Sequence, residues 1–346
     1  MTAAPHRVLV VGPSWVGDMV MSQALYKLLK KRIDADIDVL APAASVSLVA
    51  RMAEVSRGIR LDTGHGELKL NYRWNLATRL RDNHYDQAIV LPNSLKSSLI
   101  PFLAGIQTRT GFRGEFRYYL LNDMRLLDER RLPRMVDRFV ALGLPDGAPL
   151  PDAIDYPSLM VDTENRDRLC DALSLSVDRP VLGVCPGAEY GDAKKWPEEH
   201  YAALIDFAVS QGMQAWIFGS PADAGTAAKI VAALTDRGRS HTVDLTGETR
   251  LTDAIDLLSR CNLVVSNDSG LMHVAAAVGC PVAVIYGSTS PGFTPPLSDR
   301  VEIVTDDLPC SPCFQRTCPL RHKDCLYRLM PDRLEASVRR WGIRDP

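Results

Sequence analysis

Residues 263–287 read LVVSNDSGLMHVAAAVGCPVAVIYG. The β-branched run at residues 263–265 and the second one at 282–286 are bounded by polar and turn-forming residues, which predicts two buried strands. Between them Leu271, Val274, Ala275 and Val278 recur at helical spacing, Gly279 supplies a stop, and Pro281 opens the next strand. The helix is preceded by Asn267, Asp268, Ser269 and Gly270, small or capping residues that leave first-turn amides open to an anion. Strand, anion-binding turn, helix, strand is the repeating unit of a parallel sheet with ligands at its carboxyl edge. The plainer alternative is that Asp268 and Ser269 only cap the helix and that His273 is an ordinary half-buried histidine.

The same grammar recurs along the chain. RVLVV at residues 7–11, the loop Gly12-Pro-Ser-Trp-Val-Gly17 and an amphipathic run at 19–31 read as strand, glycine loop and helix. The loop glycines are too widely spaced for a dinucleotide fingerprint and fit no Walker loop. Asp18 stands at the loop exit, either as a helix cap or as a carboxylate at the mouth of the sheet. Residues 37–40 and 87–91 read as further strands, with a helix at 72–81 between them. Strands alternating with helices imply an α/β fold with a parallel sheet covered on both faces. After the strand ending in Leu91 comes the polar cluster Asn93-Ser94-Leu95-Lys96-Ser97-Ser98. Eight arginines follow between Gln107 and Arg138, a bias that suits bidentate recognition of an anionic ligand. Arg109 and Arg113 are the best candidates, because Gly111 and Gly114 beside them let a ligand approach. Residues 145–157 have linker composition. The pattern then restarts with strands at 181–184 and 214–218, a helix at 198–211, and a last amphipathic helix at 331–341. The expected organisation is a first Rossmann-like domain over residues 1–157, a second over 158–329, and residues 330–346 packing back on the first domain.

Composition bounds the function. The chain has 346 residues, 46% hydrophobic and 24% charged, with a formal net charge of -2, values of an ordinary globular protein and not of a general nucleic-acid binder. The charge is uneven, +4 over residues 1–155 and -6 over the rest. The sequence holds no run near the roughly 20 apolar residues of a membrane span, and the first strand begins too early to follow a signal peptide. A cytoplasmic protein is expected. Cys170, Cys185, Cys261 and Cys280 are scattered singly, unlike a secreted disulfide scaffold.

In the second half, three strand ends converge on one kind of ligand. Lys194 and Lys195 follow the first, Asp223 the second, and the turn at 268–271 the third. A lysine beside a nest of amides neutralises phosphate, and a carboxylate at a strand end accepts ribose hydroxyls. That combination suits a nucleotide diphosphate, and with Asp18 contributed by the other domain it suits group transfer from a nucleotide sugar.

The stretches GPSWVGDMVMSQALY, LPNSLKSS, RTGFRGEFRYYLLND, PGAEYGDAKKWP and NDSGLMHVAAA together resemble the heptosyltransferases of glycosyltransferase family nine, over about residues 7–297. The resemblance implies a GT-B fold, two Rossmann-like domains with parallel sheets facing across a cleft. It implies an ADP-heptose donor, a lipid-anchored acceptor heptose of the lipopolysaccharide inner core, and inversion at the anomeric carbon without a catalytic metal. By motif, Asp18 is the expected general base, Lys194 meets the diphosphate, Ser269, Gly270 and Leu271 present backbone to it, and Asp268 holds the donor sugar. Asp223 takes the ribose position, where relatives often carry Glu, and His273 belongs to the same donor segment. Asn93, Ser94, Lys96, Arg109 and Arg113 are the expected acceptor contacts. Gly292 stands where an acidic residue is expected, so no role is carried to it. Work at the cytoplasmic face of the inner membrane, by peripheral contact, follows from such an acceptor.

Two other functions fit parts of this pattern. A nucleotide-sugar epimerase on the same fold leaves the arginines and the 93–96 loop unexplained, and a non-catalytic nucleotide-binding module reduces Asp18 to a cap. Separately, Cys310, Cys313, Cys318 and Cys325 are spaced by two, four and six residues, with His322 nearby. This makes them candidate ligands of a structural zinc ion.

Overall fold

The computed structural model describes residues 6–64 and 66–342. The chain divides into two compact units, the first ending at Pro157 and the second beginning at Ser158.

In the first unit, β1 (Arg7–Val11), β2 (Asp36–Pro42), β3 (Val55–Leu61), β4 (Gln87–Val90), β5 (Thr108–Phe112) and β6 (Asp123–Arg125) form one sheet in the order β3-β2-β1-β4-β5-β6. Every pairing is parallel. Four of the five residues of β1 are buried because the strand is central and covered on both faces. The long helix Val16–Ile33 follows it, burying Met19, Leu25, Tyr26 and Leu29 and ending in Lys30, Lys31 and Arg32, cations that suit a helix carboxyl end. The core beneath combines Leu9, Val11, Leu40, Ala88 and Val90 with Leu76 and Leu80 from the helix Leu70–Arg81.

In the second unit, β7 (Val181–Cys185), β8 (Gln214–Ile217), β9 (Thr242–Asp244), β10 (Leu263–Asn267), β11 (Val282–Ile285) and β12 (Val301–Val304) form a sheet in the order β12-β11-β10-β7-β8-β9. Again every pairing is parallel. Counted from its own first strand, this is the order of the first unit. Each unit is a doubly wound α/β sheet, and the order reverses between β1 and β4 in one and between β7 and β10 in the other. Loops at the carboxyl ends of those strands part there and leave a ligand crevice.

The carboxyl-terminal helix departs from expectation. Leu334, on the preceding 3-10 turn Pro331–Leu334, and Val338, on the helix Glu335–Trp341, are fully buried in the second unit's core with Tyr201, Ile205 and Leu326. These residues stand four apart and present one apolar face, and that face is filled by the helix Glu198–Ser210. Residues 330–342 are therefore part of the second unit, which corrects both the expected boundary at 329 and the expected packing on the first.

Candidate functional site

In the second unit the donor residues gather at the reversal point. β7 runs into the loop that carries Lys194 on a 3-10 turn, Asp192–Lys194, and β10 runs into Asp268. Lys194 Nζ lies 2.6 Å from Asp268 Oδ2 and 3.3 Å from the Asp268 carbonyl. Both side chains are largely withdrawn from water, 13% and 5% exposed. Thr289 Oγ1, after β11, donates to the same carboxylate oxygen at 2.6 Å, and Thr294 Oγ1 lies 3.4 Å from the other. The Asp268 carboxylate is thus held by three donors on two segments, the Lys194 loop and the loop after β11, which orients it. Tyr190 adds a face to the pocket, with the Lys194 ammonium 5.0 Å and the Arg316 guanidinium 5.2 Å from its ring centre.

Asn267 is not a cap but the last residue of β10. Its buried side chain accepts from the Trp196 amide at 3.0 Å and donates to the Pro186 carbonyl at 2.7 Å, clamping the Lys194 loop at both ends. Ser269 takes the N-cap position of the helix Gly270–Ala277 without making a side-chain cap bond. Its hydroxyl pairs with Ser266 Oγ at 3.2 Å instead. The amides of the first turn, Gly270 and Leu271 among them, are therefore not capped by a side chain and point where an anion is favoured. His273 lies beneath that turn, fully buried, and burial lowers its pKa to about 4 against a partial upward pull from Asp268. It is a neutral ring at physiological pH. Asp223, after β8, closes a capping box by accepting from the Ser220 amide at 2.9 Å and hydroxyl at 2.8 Å. Its carboxylate also rests on the backbone of Gly187, where a Cβ would stand 2.7 Å away. The loops after β7, β8, β10 and β11 thus supply one face with a cation, uncapped amides and two carboxylates.

In the first unit, Asp18 is the third residue of the helix after β1, half-exposed in its first turn, while Trp15 takes the N-cap position. Across the reversal point, Asn93 and Ser94 follow β4, with Lys96 on the 3-10 turn Leu95–Ser98. The loop is organised by Arg117, which the sequence presented as one arginine among eight. Arg117 is 1% exposed. Its Nη1 donates to the Pro92 carbonyl at 2.6 Å and to Ser97 Oγ at 3.3 Å, and its Nη2 to Asn93 Oδ1 at 3.1 Å and to the Phe112 carbonyl. Burial lowers its pKa to about 10, which still leaves it charged at neutral pH. Gly114 is required here because a Cβ would overlap the Asn93 carbonyl.

Arg113 is exposed just beyond the carboxyl end of β5, where ligands bind. Arg109 is not placed to do so. It is the second residue of β5, near the amino end, and its guanidinium is occupied by the carbonyls of Leu120 at 2.7 Å, Ile106 at 2.5 Å and Gln107 at 3.3 Å. It ties strand to loop, its guanidinium engaged within the unit. Thr289, Thr294 and Arg117 brace expected site residues and were not singled out from the sequence. For Thr289 a signal existed, the run Gly287-Ser-Thr-Ser290 at the end of a predicted strand.

Each doubly wound sheet thus carries polar groups at its reversal point, a cation and uncapped amides in one and a carboxylate and polar loop in the other, where α/β sheets of this kind bind ligands. Residues 73–324 match the model of glycosyltransferase family 9 (heptosyltransferase). The chain is 47% identical over 304 residues to lipopolysaccharide heptosyltransferase 2 of Escherichia coli strain K12, covering 86% of this chain and 87% of that one. It is 45% identical to lipooligosaccharide heptosyltransferase 2 of Haemophilus influenzae, over 86% and 88% of the two chains. The solved structure of E. coli ADP-heptose lps heptosyltransferase II superposes with a TM-score of 0.88 at 41% identity, covering 97% and 98%. The chain belongs to glycosyltransferase family 9, and it is a glycosyltransferase.

Proposed function

We propose that this enzyme transfers heptose from ADP-heptose to a heptose of the lipopolysaccharide inner core, with inversion at the anomeric carbon. The observation that carries the reading is the Lys194–Asp268 pair beside the uncapped turn at Ser269, joined to membership of a heptosyltransferase family. In this reading the diphosphate takes the Lys194 ammonium and the amides of Gly270 and Leu271, which stabilise charge growing on departing ADP. Asp268 accepts hydroxyls of the donor sugar and Asp223 those of the ribose. Asp18 accepts the proton of the attacking acceptor hydroxyl, and no metal is needed because lysine and amides carry the leaving-group charge. Asn93, Ser94, Lys96 and Arg113 receive the acceptor's acidic sugars and phosphates.

No helix among the described residues is long and apolar enough to cross a membrane. Peripheral contact with the inner membrane's cytoplasmic face is supported by the loop after β5, where Phe116 and Tyr119 are 86% and 91% exposed close to Arg113. Aromatic rings beside cations suit an anionic lipid interface. An epimerase would give no account of this loop.

Incubating the protein with ADP-heptose, with and without a heptose-bearing core acceptor, tests the function. ADP release that requires the acceptor, together with a product of inverted anomeric configuration, is expected. A heptose altered while still on ADP, with no acceptor present, would establish an epimerase instead.

A further inference from the structure

Between β12 and the helix Asp324–Tyr327 the chain runs through an irregular segment that takes no part in the transfer outlined above, yet its three cysteines and the one on that helix face one cavity. Cys310, Cys313, Cys318 and Cys325 line a space of about 300 Å³ together with His322, Lys323 and Ser288. All four are free thiols and half-buried, whereas the other four cysteines of the chain are fully buried. The two-residue spacing of the first pair presents both sulfurs from one turn, as a metal knuckle does.

Two further features fit a ligand at this place. Ser288 is 1% exposed, and its Oγ has no hydrogen-bond partner although it borders the cavity. A metal-bound sulfur is an acceptor that would satisfy it. Finally, the segment is anchored where a staple is useful. Phe314 N donates to the Ser288 carbonyl at 2.7 Å, Ser311 Oγ to the Gly287 carbonyl at 2.6 Å, Ala193 N to the Arg316 carbonyl at 3.1 Å, and the Tyr190 hydroxyl to the Phe314 carbonyl at 2.7 Å. Gly191 lies so close to Arg316 that a Cβ there would overlap its carbonyl. The cysteine segment is thus bonded on one side to the end of β11 and on the other to the loop carrying Lys194.

We propose that Cys310, Cys313, Cys318 and Cys325 bind one thiophilic divalent metal ion, zinc or iron(II), as a tetrathiolate that staples the Lys194 loop to the end of β11. Binding replaces four S–H protons, released to solvent, with four metal–sulfur bonds, and no oxidant or reductant is consumed. Among the described residues no three His, Cys, Asp or Glu groups already stand as a ligand set. Rotation of these side chains into the cavity they share would bring the sulfurs to one ion. The site is structural, and it stands whichever sugar the enzyme transfers.

The full chain, purified without chelator, is assayed for zinc and iron and for thiols reactive under native conditions, before and after chelation. About one ion per chain is expected, with about four thiols becoming reactive as it is removed; colour distinguishes an iron thiolate from colourless zinc. Cys318→Ser should lose the ion. Should that variant fail to fold, zinc returned to the chelated wild-type chain should raise its melting temperature and protect the same thiols. Metal well below one per chain, disulfides among these four cysteines in the purified protein, or thiols equally reactive with and without added zinc each overturn the proposal.

Discussion

The buried guanidinium of Arg117 donates to the Pro92 carbonyl at 2.6 Å, so the loop that leaves β5 holds the loop that leaves β4. A charge in that place is tolerated because carbonyls and hydroxyls surround it, and it organises Asn93, Ser94 and Lys96 without itself facing outward. Arg117→Lys keeps the charge but cannot reach both Pro92 and Phe112. A loss of roughly 2–4 kcal/mol is expected, the range for a buried charge left partly unpaired, together with a raised acceptor KM and unchanged ADP affinity. Denaturant unfolding and steady-state kinetics check this; an unchanged acceptor KM would show that the loop keeps its shape without the fork.

Arg109 and Arg113 separate two roles on one strand. Arg113→Ala should raise acceptor KM several-fold and leave the melting temperature nearly unchanged, whereas Arg109→Ala should lower stability by about 1–3 kcal/mol as three carbonyls lose their donor. The reverse pattern would return the acceptor contact to Arg109.

Lys194 and Asp268 hold one another, so removing either leaves a nearly buried charge with fewer partners. Lys194→Ala should weaken ADP binding and turnover and cost roughly 3 kcal/mol of stability. Calorimetry with ADP is the decisive measurement, because full affinity in this variant would detach the lysine from the diphosphate.

Asp18→Asn preserves the size of a first-turn side chain. It should leave ADP affinity intact and lower kcat about 10²-fold or more, the range for loss of a general base. Retention of most of kcat with acceptor saturating would reduce Asp18 to a helix residue.

His273 carries a pH signature. Its folded pKa of about 4 lies below the ordinary 6.5 because burial opposes the charged ring. Between those values the unfolded chain binds a proton that the folded chain refuses, so stability falls as pH drops from about 6.5 to about 4. The full effect approaches about 3 kcal/mol below that window. In His273→Leu, denaturant midpoints compared across pH 4–7.5 should lack this part of the fall, and curves parallel to wild type would refute it.

Much of this was legible beforehand, and the failures share a cause. β1, β7, β10 and β11 are central strands with continuous apolar runs, so composition exposes them. β5 reads TRTGF and β3 reads VSRGIRL, and in both the polar residues hide the strand. The pairing of Arg109 with Arg113 follows directly, because in an unrecognised strand the amino end cannot be told from the carboxyl end where ligands bind. Lys194 and Asp268 were recognisable separately by their places after strands. Their contact was not, since it joins residues 74 positions apart. The terminal helix shows the same limit: Leu334 and Val338 reveal an apolar face, while its partner is set by tertiary packing.

The threonine-braced pair of Lys194 and Asp268 also sets a rule of admission. In the proposed reading, an arriving anion that takes the lysine leaves the carboxylate to Thr289 and Thr294 alone, and a sugar that takes the carboxylate draws it from the lysine. Bare phosphate and free sugar each settle one debt by opening another. In the proposed reading, a molecule carrying a diphosphate and sugar hydroxyls on one skeleton engages both at once, so the resting ion pair favours the whole donor over its separate parts.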